Sequence, residues 1–146
     1  MYMKTLIFLI PLNMASANLS GMILAYPNCD FIVSVAAGES FEITNPEWPA
    51  EYESDQLCRW VLTCPIGYRC RLKCNYVSMP LSHDCDTDKL MVSDIGDMLL
   101  FGAHIFCGRS VINIRSQGPR LTMGLISSPE STGGRFRCLV IPEVSY

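Results

Sequence analysis

Residues 58–74 read CRWVLTCPIGYRCRLKC, residues 84–96 read DCDTDKLMVSDIG, and residues 106–108 read FCG. The segment from residue 58 to residue 108 holds six of the eight cysteines and alternates apolar with polar side chains. Successive side chains of a strand point to opposite faces of a sheet, so this alternation is typical of half-buried strands. The segment therefore predicts a sheet with one apolar face that carries cysteines.

The start of this segment predicts two strands joined by a turn over residues 65–68. The side chains of one parity, which we expect to face inward, are Trp60, Leu62, Cys64, Cys70, Leu72 and Cys74. The side chains expected to face outward are Arg59, Arg69, Arg71 and Lys73. The pattern predicts a hairpin with an apolar inner face and a basic outer face.

The first 17 residues have the pattern of a secretory signal peptide. A short basic segment at residues 1–4 precedes an apolar segment at residues 5–12, and small residues follow at 15–17. We expect cleavage after Ala17, with Ala25 as the alternative. The apolar run is shorter than the roughly 20 residues that a membrane span needs. We therefore expect no membrane span and a protein that is secreted to the extracellular space.

The remaining sequence is consistent with one all-β domain. Alternating runs lie at residues 31–35, 40–44, 89–93, 111–115, 121–125 and 135–140, with turn-forming residues between them. Short strands separated by frequent turns are typical of a β-sandwich. Between the strands, residues 46–52 predict a loop whose Trp48 and Tyr52 pack on the domain. We place an N-terminal segment at residues 18–28, the domain at residues 29–141, and a short tail at residues 142–146.

Charge and cysteine content exclude two classes of site. The net charge is -3 and becomes -4 without Lys4, which argues against a nucleic-acid partner because such binders carry a basic footprint. Cysteines of an exported protein are expected to form disulfides. A zinc site is disfavoured because the cysteines lack paired Cys-x2-Cys spacing and only His83 lies near them. The sequence by itself leaves the disulfide pairing open.

One set of residues forms a combined pattern over roughly residues 29–140. The set consists of Ile43, Asn45, Pro46, Trp48, Pro49, Tyr52, Cys58, Trp60, Leu62, Gly67, Leu72, Cys74, Cys85, Asp88, Leu90, Val92, Cys107 and Gly108. This combined pattern resembles a CUB domain. The closing Gly133-Gly134-Arg135-Phe136-x-Cys138, together with Cys74, is most similar to the arthropod form. That form occurs ahead of trypsin-like protease domains and in stand-alone secreted proteins of insect venom and saliva. The resemblance implies a jelly-roll-like sandwich of two antiparallel sheets, stapled by disulfides.

The resemblance implies two of the disulfides, Cys29–Cys58 and Cys85–Cys107. The other two pairs are predicted from side-chain parity. Cys64 and Cys70 flank the predicted turn on the same face, which leaves Cys74 for Cys138 on the final strand. Neighbouring strands bring Cα atoms within the roughly 7 Å that a disulfide requires.

The resemblance also implies a calcium site, but this sequence departs from it. Asp88 stands at one of three expected acidic positions, whereas Pro80 occupies or adjoins the first and Ser128 stands at the third. Calcium needs several oxygen ligands and more than one carboxylate. Glu130 and Asp84 replace the missing acids only if the loop geometry differs. We therefore expect no metal or other cofactor, and a structural hydrogen-bonding role for Asp88.

The sequence offers no catalytic constellation. Its two histidines, His83 and His104, lie outside the serine-hydrolase and zinc-protease motifs, and both are expected to be surface or structural residues. His83 and Asp84 are neighbours, and neighbours on an extended chain point apart. Only eight residues follow Cys138, so we expect no protease domain and no enzymatic activity.

A binding role follows as the main functional hypothesis. The outward residues Arg59, Arg69, Arg71 and Lys73 suit an acidic extracellular protein or a sulfated glycan, with an ordinary solvated strand face as the alternative. Residues 98–101 are apolar and are either an assembly contact or a core strand. We expect a secreted, non-catalytic binding protein of insect venom or saliva. The alternative is an extracellular structural, assembly or immune accessory protein derived from a CUB-serine protease that lost its catalytic domain. The sequence leaves the oligomeric state open.

Overall fold

The computed structural model describes residues 29–146. The predicted signal peptide and the segment at residues 18–28 lie outside these residues. The strands are β1 (Asp30–Ser34), β2 (Phe41–Thr44), β3 (Leu57–Thr63), β4 (Tyr68–Ser78), β5 (Asp88–Ser93), β6 (His104–Phe106), β7 (Ile112–Arg115), β8 (Arg120–Ser127) and β9 (Arg135–Val144). A single 3-10 turn at His83–Cys85 interrupts this all-β arrangement of the described residues.

The strands form two sheets that pack face to face. The four-stranded sheet has the order β2-β9-β4-β7 and is antiparallel throughout. The five-stranded sheet has the order β1-β3-β8-β5-β6, and only its β1–β3 pair is parallel. The all-β sandwich predicted from the alternating runs is therefore confirmed.

The core lies between the two inner faces. Trp60 of β3 meets Phe136 of β9 edge to face, with ring centroids 6.0 Å apart, and stacks on Phe31 at 5.8 Å. Leu62 and Leu72 are completely buried on opposite sheets. Burying a leucine side chain contributes roughly 1.5–3 kcal/mol, so these inward positions hold the two sheets together.

The predicted hairpin of β3 and β4 is wrong in its pairing. The two strands do not hydrogen-bond to each other: β3 pairs with β1 and β8, whereas β4 pairs with β9 and β7. The chain crosses from one sheet to the other between Thr63 and Tyr68. Both strands still direct their apolar side chains into the core, because each inner face opposes the other sheet. We call this connection between the two sheets the arch. Side-chain parity is the same for a hairpin and for an arch.

All four disulfides pair the cysteines as the sequence analysis predicted. They are Cys29–Cys58, Cys64–Cys70, Cys74–Cys138 and Cys85–Cys107. Because of the arch, Cys64–Cys70 joins the two sheets, whereas Cys74 and Cys138 are direct partners on the adjacent strands β4 and β9. No cysteine is left free.

The last strand is longer than the predicted domain end at residue 141. β9 pairs with β4 as far as Val144, so most of the expected tail belongs to the sheet. Beyond Val140, β9 no longer pairs with β2. Pro142 lies in this part of the strand, where a missing backbone donor costs little because one edge is open.

Residues 98–103 form turns that cover the outer face of the five-stranded sheet. Leu100 is buried there, and a Cβ atom added to Gly124 of β8 would lie 2.5 Å from its Cδ1 atom. Leu99 and Phe101 on either side are exposed. This segment is therefore not the predicted core strand, whereas an assembly contact through the exposed Leu99 and Phe101 stays a prediction. The short strand β6 that follows it was not predicted.

None of the described residues forms a helix of the length and hydrophobicity that crossing a bilayer requires.

Candidate functional site

Asp88, the first residue of β5, is completely buried and accepts three hydrogen bonds. Its Oδ2 atom accepts from the Tyr52 hydroxyl at 2.6 Å and from the Ser131 hydroxyl at 2.6 Å. Its Oδ1 atom accepts from the backbone N–H of Ser128 at 3.4 Å. The carboxylate therefore ties two loops to the start of β5.

Close backbone approach fixes these loops against each other. The backbone N–H of Tyr52 donates to the carbonyl of Gly134 at 2.9 Å, and Gly133 N–H donates to the Ser131 hydroxyl at 3.0 Å. A Cβ atom on Gly134 would lie 2.7 Å from the carbonyl oxygen of Ser78 and 2.9 Å from the Tyr52 hydroxyl. Glycine is required here because the tyrosine and its loop occupy that space.

The residues around Asp88 do not fit calcium. Pro80 and Ser128 lack carboxylates, and the oxygens of Asp88 already accept hydrogen bonds from the protein. Asp84 is exposed beside His83, and Glu130 is also exposed. Within residues 29–146, no three histidine, cysteine, aspartate or glutamate side chains form a metal-binding cluster. Hydroxyl and amide donors fill the role that a cation has in a calcium site, so Asp88 is a structural acceptor here.

The buried hydroxyl of Tyr52 should make the folded domain less stable in alkaline solution. Burial raises its pKa well above the ordinary value of 10.0, and the hydrogen bond to Asp88 raises it further. The folded state holds this proton more tightly than the unfolded state, so the resulting stabilisation is present below pH 10 and lost as the pH rises above it. The free energy of unfolding of the wild type, measured in urea at several pH values, should fall as the pH rises above 10, and we call this fall the alkaline slope. Tyr52→Phe should make the alkaline slope shallower and should lower the free energy of unfolding at neutral pH by roughly 1–3 kcal/mol.

Tyr146→Phe is the matched control, since Tyr146 is exposed. It should leave both the neutral-pH stability and the alkaline slope unchanged. An alkaline slope in Tyr52→Phe as steep as in the wild type would show that another group causes the loss.

Arg59 is not part of an exposed basic face, which corrects the sequence prediction. It lies on β3 in the five-stranded sheet, and its side chain is fully buried. Its Nε and Nη2 atoms donate to the two carboxylate oxygens of Asp30 at 2.9 and 2.6 Å, and Nη1 donates to the carbonyl of Met98 at 2.9 Å. The outward parity was correct, but the segment at residues 98–103 covers that side of the sheet.

The outer side of the four-stranded sheet does carry an excess of positive charge. Strand residues with outward parity contribute six cations and two carboxylates, and we call this surface the basic face. The cations are Arg69, Arg71, Lys73, Arg115, Arg135 and Arg137, and the carboxylates are Glu42 and Glu143. Six minus two gives a formal charge of +4 on one face of a chain whose net charge is -3. The positive charge is thus concentrated on one side of the domain.

Two arginines oppose each other directly on the basic face. Arg71 of β4 and Arg115 of β7 are cross-strand partners, an arrangement of like charges that destabilises a sheet. Glu143 lies between them, 3.2 Å from the Nε atom of Arg71 and 3.6 Å from the Nε atom of Arg115. The hydrogen bond from Arg71 lowers the pKa of Glu143, and the charges of Arg71, Arg115 and Lys73 lower it further. The face therefore favours negatively charged groups.

A bulge makes a shallow cleft in the basic face. Cys138 pairs with Cys74 and Arg137 pairs with Tyr76, so Asn75 is an extra residue on β4. The cleft has a volume of about 280 Å³ and is lined by Glu42, Lys73, Asn75, Tyr76, Arg137, Cys138 and Leu139. Tyr76 is 43% exposed, and its ring meets the edge of Trp48 at 5.9 Å. The cleft combines one aromatic ring with two cations and one carboxylate, that of Glu42.

Neither histidine belongs to a catalytic arrangement of the described residues. His83 and Asp84 do touch, at 3.2 Å, because they lie in a 3-10 turn rather than on an extended chain, but both side chains are exposed. His104 lies 3.5 Å from Asp94 and is also exposed. All cysteines form disulfides, which leaves no thiol nucleophile.

Comparison with known proteins relates the chain to one extracellular domain type. The sequence pattern of the CUB domain matches residues 29–138. The chain is 30% identical over 114 residues to venom serine protease 34 of Apis mellifera, covering 78% of this chain but 25% of that protein. It is 35% identical over 74 residues to the cubilin homolog of Drosophila melanogaster, covering 49% of this chain and 2% of that protein. The chain thus spans a quarter or less of these relatives.

A solved structure shares the fold. The CUB1-EGF-CUB2 domains of rat MASP-1 superpose with a TM-score of 0.62 at 20% sequence identity. The match covers 77% of this chain and 42% of that one. At this level of identity the likeness concerns the fold alone.

Proposed function

Since this chain belongs to the CUB domain family, we propose that it is a secreted, non-catalytic binding protein and a component of arthropod venom or saliva. The observation that carries this proposal is its similarity to a venom serine protease over 78% of its own length. The similar region is the CUB domain, a module that binds extracellular proteins. The described residues lack a catalytic constellation, and four disulfides suit a protein that works outside the cell.

The basic face is the binding surface in this proposal. It is formed by regular strands of a rigid sandwich, so its charged groups keep fixed positions relative to one another. The outer face of the other sheet is covered by residues 98–103, whereas the basic face is open. Charge complementarity then favours an acidic partner outside the cell.

The secreted full-length chain tests this proposal in two ways. We expect an antibody against the protein to detect it in venom or salivary secretion, and we expect the purified protein to bind immobilised extracellular matrix without cleaving peptide amide or ester substrates. Lys73→Glu with Arg137→Glu should remove most of the matrix binding, because the change reverses two charges of the basic face.

Lys89→Glu with Arg120→Glu is the matched control, because it makes the same change in net charge on strands of the other sheet. This control should bind matrix like the wild type. Equal binding by both double variants would exclude the basic face as the binding surface, and retention of the protein inside cells would contradict secretion.

A further inference from the structure

We propose that the basic face binds a linear sulfated polysaccharide, with one sugar ring seated in the cleft between Lys73, Tyr76 and Arg137. This inference rests on the proposed binding function and names its ligand class. It is carried by the length of the charged stripe, by the chemistry of its cations and by the composition of the cleft.

The cations extend along most of the sheet. Arg69 lies near one end of β4, and Arg135 on β9 pairs with Ser78 at the other end. At about 3.3 Å per residue, the nine steps from residue 69 to residue 78 correspond to roughly 30 Å. A single phosphate or acidic side chain would contact only part of such a stripe, whereas a polymer with regularly repeated charges would contact all of it.

Carboxylates of the protein neutralise only part of this stripe. Glu143 pairs with Arg71 and Arg115, and Glu42 pairs with Arg137. Among the described residues, Arg69, Lys73 and Arg135 have no carboxylate within ion-pair distance, and Arg69 instead donates to the Ser145 hydroxyl at 3.2 Å. These three side chains lie at both ends and at the centre of the stripe. An external polyanion would therefore find partners along its whole length.

The cations are of the type that binds sulfate. Five of the six are arginines, whose planar guanidinium groups form paired hydrogen bonds with oxyanions. Such bonds to charged acceptors are about twice as strong as neutral ones. The side chain of Arg137 is 61% exposed and keeps donors available beyond its contact with Glu42. The basic face can therefore hold several sulfate groups at once.

The cleft favours a sugar over an acidic protein segment. The exposed ring of Tyr76 and the side chain of Leu139 supply an apolar surface, on which the C–H face of a sugar ring can pack. Lys73 and Arg137 line the same cleft and can bind the charged substituents of that ring. The cleft is shallow and lies on an open sheet surface, so a polymer can continue past it in both directions.

Binding of the purified full-length protein to immobilised heparin tests the inference, with chemically desulfated heparin and polyglutamate as comparison surfaces. Removing two cation contacts should weaken heparin binding on the order of a hundredfold, so we expect this loss for Lys73→Glu with Arg137→Glu. Tyr76→Ala preserves the charge and should weaken binding about two- to tenfold through the lost ring contact. Lys89→Glu with Arg120→Glu should bind like the wild type.

The neutral double variant Lys73→Gln with Arg137→Gln tests whether a loss of binding results from misfolding. It should weaken heparin binding while its melting temperature equals that of the wild type. Absence of wild-type heparin binding would overturn the inference. Equal affinity for polyglutamate and heparin, with no effect of Tyr76→Ala, would also overturn it in favour of an acidic protein partner. If either result is obtained but the protein still binds matrix through the basic face, only the polysaccharide inference is wrong and the proposed function stands. If matrix binding is absent as well, the inference and the proposed function are both wrong.

Discussion

Replacing Arg59 by alanine is expected to lower the free energy of unfolding by about 3–5 kcal/mol, because the change leaves a carboxylate without its buried partner. The carboxylate of Asp30 loses two hydrogen bonds, and the carbonyl of Met98 loses a third. These contacts hold β1 and the covering segment at residues 98–103 to β3. Urea unfolding followed by tryptophan fluorescence measures the loss, since Trp60 is buried in the neighbouring core.

Two further variants define the cause of this loss. Arg69→Ala removes an arginine whose side chain makes one hydrogen bond within residues 29–146, to the Ser145 hydroxyl, and it should change stability by no more than about 0.5 kcal/mol. The double variant Arg59→Met with Asp30→Val replaces both charges by apolar groups and should recover much of the loss, since a buried ion pair contributes little beyond an apolar pair of similar size. An Arg59→Ala protein as stable as the wild type would contradict the assigned role.

The second large effect is expected for the disulfide between β4 and β9. Cys74 and Cys138 are separated by 64 residues, and a cross-link of that span restricts the unfolded chain strongly. In the chain-entropy description, replacing both by alanine costs roughly 4 kcal/mol. Both side chains are also buried, so the substitution leaves space in the core. The melting temperature and the urea midpoint should both fall.

Removal of Cys64–Cys70 is the matched comparison, because these cysteines are equally buried but separated by only 6 residues. The same description gives roughly 2 kcal/mol for this span, about half of the larger effect. If the two double variants were equally destabilised, strain or lost packing rather than chain entropy would dominate the contribution of these bridges.

The sequence was sufficient to predict the inner faces of the strands but not their partners. Leu62 and Leu72 have the predicted burial, and the four disulfides agree with parity and with the family resemblance. The hairpin was wrong because alternation depends on which face is buried, and both a hairpin and an arch between two sheets bury the same face. The length of the connecting turn did not separate these alternatives.

Arg59 shows a second limit of parity. Alternation correctly placed its side chain on the outer face of β3, but outward on a strand means exposed only if nothing covers that face. The cover comes from residues 98–103, which are distant in sequence and have no clear periodicity. The sequence did contain a signal for this ion pair. Arg59 is a charged residue within an apolar strand and follows Cys58, and Asp30 follows Cys29, which forms a disulfide with Cys58.

The basic face was only partly predictable for a topological reason. Arg69, Arg71 and Lys73 lie on one strand and were found by parity. Arg115 and Arg137 join them because β7 and β9 flank β4, an adjacency that depends on the order of strands in the sheet. The Asp88 site was also only partly predictable. The missing carboxylates were evident in the sequence, but the Ser131 hydroxyl that donates to Asp88 in the place of a cation was not.

The hydrogen bonds to Asp88 hold these loops together through groups of the chain itself. A bound ion stabilises a protein only to the extent that its free concentration exceeds its dissociation constant, so dilution or a chelator removes that contribution. The hydroxyls of Tyr52 and Ser131 belong to the chain and cannot diffuse away. We therefore expect these loops to keep the same conformation in solutions of high and of low calcium content.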